Sequence, residues 1–161
     1  MRKKIFFIAF LFFPRYNSLR VPMIIYDPRN REHRDISDMA LNIDIPSTIL
    51  DLAGLTAPAS WEGKSLAGFL QGQNPLEGRR SFICEHLWNV SIIPSSEGIR
   101  TQEWKYFRYR KDLAHEELYN LKNDPCEINN LSDSSEFQNV LQNLRMKTDS
   151  SINVLTKAKI N

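Results

Sequence analysis

No stretch constrains this chain more than Gly98 to Leu131, GIRTQEWKYFRYRKDLAHEELYNLKNDPCEINNL. Trp104, Tyr106, Phe107 and Tyr109 favour a strand, because aromatic side chains fit a pleated, half-buried surface, and Lys and Arg lie between them. Glu117-Leu118-Tyr119-Asn120-Leu121 makes a second, short strand across a charged hairpin loop. Asn123-Asp124-Pro125 then ends it, since proline fixes φ and lacks an N–H while Asn and Asp favour turns. With Ser81–Trp88 as a first strand, Gly98–Arg110 and Glu116–Leu121 are expected to complete a small antiparallel sheet. In Ser134–Asp149, Phe137, Val140, Leu141 and Leu144 recur at i, i+3, i+4 and i+7, which predicts an amphipathic helix covering one face of that sheet. Ser151–Asn161 is polar and basic and is expected to fray.

The upstream part has a different character. Val21 to Tyr26 is an apolar run without alternation, bounded by Pro22 and Asp27-Pro28, which suits a strand buried on both faces of a mostly parallel sheet. Asn42–Gly54 carries helix signals: Asp44 as a cap candidate, Pro46 in the first turn and Gly54 as a stop. Ile45, Ile49, Leu52 and Ala53 fall on one face of that helix, the face expected to be buried. A short helix over Leu66–Leu70 follows, and the Gly-, Asn- and Pro-rich Gln71–Arg80 makes the best boundary. The organisation expected is therefore an apolar start over 1–17, an α/β portion over 18–75, a sheet-and-helix portion over 76–150 and a tail over 151–161.

Bulk properties narrow the function classes. The 161 residues suffice for one domain with a core or a piece of a larger one, and 42% hydrophobic with 25% charged is an ordinary globular balance. A net charge of +2 with no long basic block gives no argument for nucleic acid. Met1–Phe13 has a basic start and an apolar run, as in a secretory signal that would direct export, but no small-x-small cleavage site follows. The alternative expectation is the new N-terminus of a truncated chain; either way the run is too short for a stable membrane span. Cys84 and Cys126 have no metal-like spacing and either pair as a disulfide or stand as free thiols.

Taken together, Ile99-Arg100-Thr101, Trp104-Lys105-Tyr106, Glu117–Leu121, Asp124-Pro125, Glu127 and Asn130-Leu131 resemble, in order, the closing pattern of the type I sulfatases. Ser18–Arg29 and Asn42–Gly54 resemble two further sulfatase segments, so the likeness runs from about Ser18 to Asp149 and covers only the family's C-terminal part. The resemblance implies an α/β fold, α+β within this fragment: the last strand and helix of an alkaline-phosphatase-like α/β domain, then the small antiparallel sheet with its covering helix. It also implies hydrolysis of sulfate esters, with a sulfated carbohydrate as partner.

That chemistry, in the family, uses a formylglycine made from Cys or Ser in a C-x-P-S-R or S-x-P-S-R context, and a calcium ion held by carboxylate and amide oxygens. Neither Cys84, in C-E-H-L-W, nor Cys126, in C-E-I-N-N, has that context, and no Asp-rich ligand motif occurs. No catalytic or metal-ligating residue is therefore assigned; calcium and formylglycine are expected in a full-length relative, and the chain alone is expected to be inactive. Candidate substrate-binding residues are Glu85 and His86, which resemble an E-H pair of carbohydrate sulfatases, with Arg100, Trp88 and Lys105 as cationic and aromatic additions suited to a sulfated sugar. The alternative is a non-catalytic glycan-binding or interaction module derived from a sulfatase.

Overall fold

A computed structural model describes residue 19 and residues 21–29, 32–73, 79–87 and 94–158. The apolar segment Met1–Phe13, Trp88, residues 74–78 of the expected boundary and residues 159–161 of the tail lie outside the described residues. The chain divides into two compact units, one over Pro22–Arg80 and one containing Ser81–Asn161. No helix among the described residues is long and apolar enough to cross a membrane.

In the second unit, β1 (Ser81–His86), β2 (Ser96–Thr101), β3 (Trp104–Tyr109) and β4 (Asp112–Asn120) form an antiparallel sheet in sequence order. Four strands stand where three are expected, because Gly98–Arg110 turns back at Gln102-Glu103. The turn has no Gly, Pro or Asn to announce it. Thr101 makes it instead: its hydroxyl accepts from the Trp104 N–H at 2.9 Å and donates to the Trp104 carbonyl at 3.1 Å. β4 starts earlier than expected, pairing Asp112 with Tyr109, so the charged loop shrinks to Arg110-Lys111 with a ladder irregularity at Arg108/Tyr109.

A 3-10 turn at Ser135–Phe137 leads into a helix over Gln138–Ala158. It outruns the expected Asp149 end, so residues 150–158 are helical rather than frayed. Once a helix is nucleated each further residue adds one hydrogen bond, and nothing in 150–158 is a Gly or Pro. Ile99, Tyr106, Leu118, Leu141 and Leu144 form the buried core between sheet and helix, with Ile83, Trp104, Leu131, Phe137 and Val140 packed around it. Burying each of the aliphatic side chains stabilises the unit by about 1.5–3 kcal/mol.

Ion pairs pin the helix to the sheet at the edge of this core. Glu116 on β4 accepts from the Tyr106 hydroxyl at 2.5 Å and from Arg145 Nε at 3.0 Å. Arg108 bridges Glu97 and Asp149, with 2.6 Å to each. Partial burial pushes the Glu116 carboxyl up, but the Arg145 and Tyr106 hydrogen bonds outweigh it and hold it below its ordinary value.

The first unit is organised around a buried carboxylate. The helix of this unit, here α1, runs Asp44–Leu52, and the longer helix of the second unit is α2. Asp44 opens α1 as its first residue rather than capping it from outside; Ile43 occupies the cap position without a side-chain bond. Fully buried, Asp44 accepts from the Leu41 N–H at 2.7 Å, the Lys64 N–H at 2.8 Å and both arms of Arg79 at 2.5 and 2.8 Å. Those donors overcome desolvation and hold its carboxyl below the usual range.

Two expectations fail in this unit. The expected inner face of α1 is outward: Ile49 is 62% exposed, and Ile45 and Leu52 are exposed as well. The buried side is Asp44, Ser47 and Thr48. Ser47 donates to the Gly63 carbonyl at 2.9 Å, and Thr48 accepts from the Leu66 N–H at 2.9 Å, so loop 63–66 claims the polar side through hydrogen bonds. Residues 21–26 form no strand, and Ile24 is 90% exposed. A strand exists through its neighbours' hydrogen bonds, and no described strand lies beside this one to supply them. Gly54, the expected stop, is left-handed at φ 75° just past the helix end.

The Glu116 network gives the fold an acid limb. A depressed carboxyl contributes stability above its unfolded value of about 4.3 and loses it as pH falls through the folded value. Glu116→Gln is expected to cost about 1–3 kcal/mol at pH 7 and to flatten the stability loss below pH ~4.5, as read by urea denaturation across pH. An unchanged acid limb would exclude Glu116 as its source.

Candidate functional site

Strand alternation sorts the sheet into a helix-packed face and an opposite face. The register places Phe82, Arg100, Lys105 and Tyr119 in one row across the opposite face. Cys84, Gly98, Phe107 and Glu117 make the next row, and His86, Ser96 and Tyr109 a third. Gly98 is required at the centre, since a Cβ there would sit 2.0 Å from the Tyr106 carbonyl oxygen.

Of the sequence-derived candidates, Arg100 and Lys105 are thus direct cross-strand partners, and His86 lies on the same face two rows away. Glu85 is on the other face, where it accepts from Arg110 at 3.0 Å while Arg110 also reaches Glu97 at 2.7 Å. The adjacent pair Glu85-His86 is therefore split between faces, as consecutive strand residues must be. Trp88 lies outside the described residues. Arg100 is half-buried in β2.

Lys105 is fully buried, and its ammonium is held by Glu127. It lies 5.2 Å from the Phe107 ring centroid and 5.7 Å from that of Tyr119. Burial draws the Lys105 pKa down, opposed by Glu127. Glu127 reaches it from a tight turn in which its own backbone is left-handed at φ 57°. Asp124 builds that turn, accepting from the Ile128 and Asn129 N–H groups at 2.8 Å each. Asn130 then ties the segment to β4, accepting from the Leu118 N–H at 2.9 Å and donating to the Glu116 carbonyl at 3.0 Å. Lys105 and Glu127 are thus two halves of one buried latch.

Further groups on this face escaped the sequence reading. Glu117 accepts from the Tyr109 hydroxyl at 2.5 Å and the Tyr119 hydroxyl at 2.9 Å. The Tyr109 ring lies 5.1 Å from that of His115. Ser96 is buried between His86 and Tyr109, and its hydroxyl has no hydrogen-bond partner among the described residues. The signal for these was the two-residue period, but it becomes usable only when the Thr101 turn sets the register.

Cys84 and Cys126 are free thiols. Burial pushes the Cys84 thiol up to about 12, against the pull of Lys105 and Arg100, so it carries no thiolate at neutral pH. Among the described residues no three His, Cys, Asp or Glu side chains converge to hold a metal. The carboxylate cluster that a calcium ion takes is thus not found among the described residues.

Two outcomes test this geometry. Cys126, which is exposed, is expected to react with iodoacetamide well ahead of Cys84, as followed by mass spectrometry of the native chain; equal rates would contradict the burial of Cys84. Glu127→Leu alone is expected to cost about 3–5 kcal/mol by leaving a buried cation, and Lys105→Met added to it to restore much of the loss in urea denaturation. Additive losses would show the two side chains to be independent.

Comparison with known proteins agrees with this architecture. The family described as N-sulphoglucosamine sulphohydrolase, C-terminal, matches residues 10–153. The N-acetylglucosamine-6-O-sulfatase of Bacteroides thetaiotaomicron is 30% identical over 128 residues, 73% of this chain and 22% of the relative. The solved structure of a 2-O GAG sulfatase superposes with TM-score 0.62 at 30% identity, over 72% of this chain and 24% of that one. A protein solved in complex with its substrate D-glucosamine-2-N,6-O-disulfate superposes with TM-score 0.60 at 26% identity, over 73% of this chain and 24% of that one. The chain spans about a quarter of the length of these relatives. It belongs to the sulfatases, as a C-terminal sulfatase domain of the N-sulphoglucosamine sulphohydrolase type, with the sheet and helix of an alkaline-phosphatase-like fold.

Proposed function

We propose that these residues close the substrate pocket of a sulfatase that hydrolyses sulfate esters on an amino sugar or glycosaminoglycan, and that they do not turn over substrate alone. The observation that carries the reading is the sheet face opposite α2, which bears Arg100 and His86, within a fold also found in a relative solved with D-glucosamine-2-N,6-O-disulfate. A guanidinium presents paired donors that match the oxygens of a sulfate group. An imidazole donates or accepts at a sugar hydroxyl. Breaking the ester requires a nucleophile at sulfur and charge compensation at the leaving oxygen. Those groups lie in the part of a sulfatase that these residues do not span. Lys105 serves this site indirectly, by holding the face rigid.

The test joins this chain to the preceding portion of the N-acetylglucosamine-6-O-sulfatase and compares it with the chain by itself. Turnover of sulfated glucosamine is expected only from the joined protein. His86→Ala is expected to raise KM about tenfold, the worth of one hydrogen bond, with little change in kcat. Unchanged KM removes His86 from the site. Tight binding of the sulfated sugar to the isolated chain would instead favour a glycan-binding module.

A further inference from the structure

Among the described residues two ion pairs are deeply buried, and they differ in how far their hydrogen bonding is completed. In the first unit the side chains of Arg79 and Asp44 are 8% and 0% exposed. Each Asp44 oxygen accepts twice, Oδ1 from the Lys64 N–H and Arg79, Oδ2 from the Leu41 N–H and Arg79. Arg79 donates onward to the Met39 carbonyl at 2.9 Å. Protein atoms alone complete that pair.

The Lys105–Glu127 latch is sealed more tightly, with side chains 0% and 2% exposed, yet it is completed less. An ammonium carries three N–H donors, and each carboxylate oxygen offers two lone pairs. Lys105 donates to Glu127 Oε2, and Glu127 is its one hydrogen-bond partner among the described residues. The Phe107 and Tyr119 ring centroids stand 5.2 and 5.7 Å from the ammonium, where they attract its charge without taking its protons. Glu127 Oε1 is buried and has no hydrogen-bond partner among the described residues. Unused donors and an unused acceptor thus lie on the two members of one buried pair, where water does not reach them from bulk. A buried ion pair is stable only when such remaining positions are met.

Charge decides what meets them. The pair is neutral as a whole, so an anion would face Glu127 Oε1 and a cation would face the ammonium. The group required is neutral, accepts from an N–H and donates to a carboxylate oxygen. It must also be small enough to be enclosed. Water fulfils all three conditions, and buried waters characteristically bond polar groups that the chain leaves unsatisfied. Cys84 is within electrostatic reach of Lys105, and its protonated thiol offers a further, weak contact.

We propose that one water molecule is built into the latch, accepting from Lys105 Nζ and donating to Glu127 Oε1. The turn after β4 is then held to the sheet by two routes, directly from Oε2 and through water from Oε1. The site belongs to the second unit itself and is independent of the sulfatase reading.

The full 161-residue chain is crystallised for an atomic-resolution structure and measured in solution by oxygen-17 relaxation dispersion, which counts long-lived internal waters. A water oxygen within hydrogen-bond distance of both Lys105 Nζ and Glu127 Oε1 is expected. The Lys105→Met, Glu127→Leu double variant, with an apolar pair that a fold tolerates in place of buried charges, is expected to hold one long-lived water fewer. Both Glu127 oxygens closing directly on the ammonium, with no water between, overturn the proposal. A bromide soak that leaves anomalous signal at the position also overturns it, by naming an anion as occupant. So does a double variant with an undiminished count of long-lived waters. The crystallographic result requires no variant and stands whether or not the double variant folds.

Discussion

Burying an ammonium and a carboxylate together costs desolvation that only close pairing and further hydrogen bonds repay, and the second unit is arranged to meet that condition. Lys105 stands at the middle of the sheet, Glu127 comes over it from the turn after β4, and two aromatic rings flank the ammonium. The turn after β4 carries Glu127 back over it. The Asp124 side chain folds the turn, Asn130 fastens it to β4, and Leu131 follows into the core. A stretch that a reader of motifs takes as a signature is, physically, one closed loop held at both ends.

The two units solve burial in opposite ways. Between the sheet and α2, aliphatic and aromatic side chains are buried against one another with ion pairs at the rim, while the Lys105–Glu127 pair is buried on the opposite face. The first unit has Asp44, Ser47 and Thr48 inside; Ser47 and Thr48 bond the backbone of loop 63–66, and Arg79 pairs with the Asp44 carboxylate. Directional bonds hold such an interior in place, whereas the apolar stripe of α1 contributes nothing to it. That division makes local order compatible with an uncovered apolar face.

The legibility of the chain follows the same division. The strand character around Trp104–Tyr109, the turn at Asn123–Pro125 and the Phe137–Leu144 stripe were open to reading, since each rests on propensity or period within a short window. The hairpin at Gln102-Glu103 was hidden, because a threonine hydroxyl made a turn that glycine or asparagine usually makes. The orientation of α1 was misjudged: its periodicity located an apolar face correctly but says nothing about which neighbour is present to cover it. For the site, Arg100 and His86 could be named as chemical types, while their common face, and the separation of Glu85 from it, depended on register. Lys105 is legible as a cation suited to a sulfated sugar, while its pairing with Glu127, across the whole of β4, is invisible until the chain folds.

Glu127 has a left-handed backbone and a side chain that must be a buried anion. Glycine would relieve a backbone penalty of about 1–2 kcal/mol there, yet it would strand the Lys105 charge. Asparagine tolerates the backbone but is a methylene shorter and uncharged. Main chain and side chain therefore ask for different amino acids at one position, and the larger electrostatic demand wins. A residue caught between two such demands has few acceptable replacements, so its substitution tolerance is narrow without its ever touching a substrate.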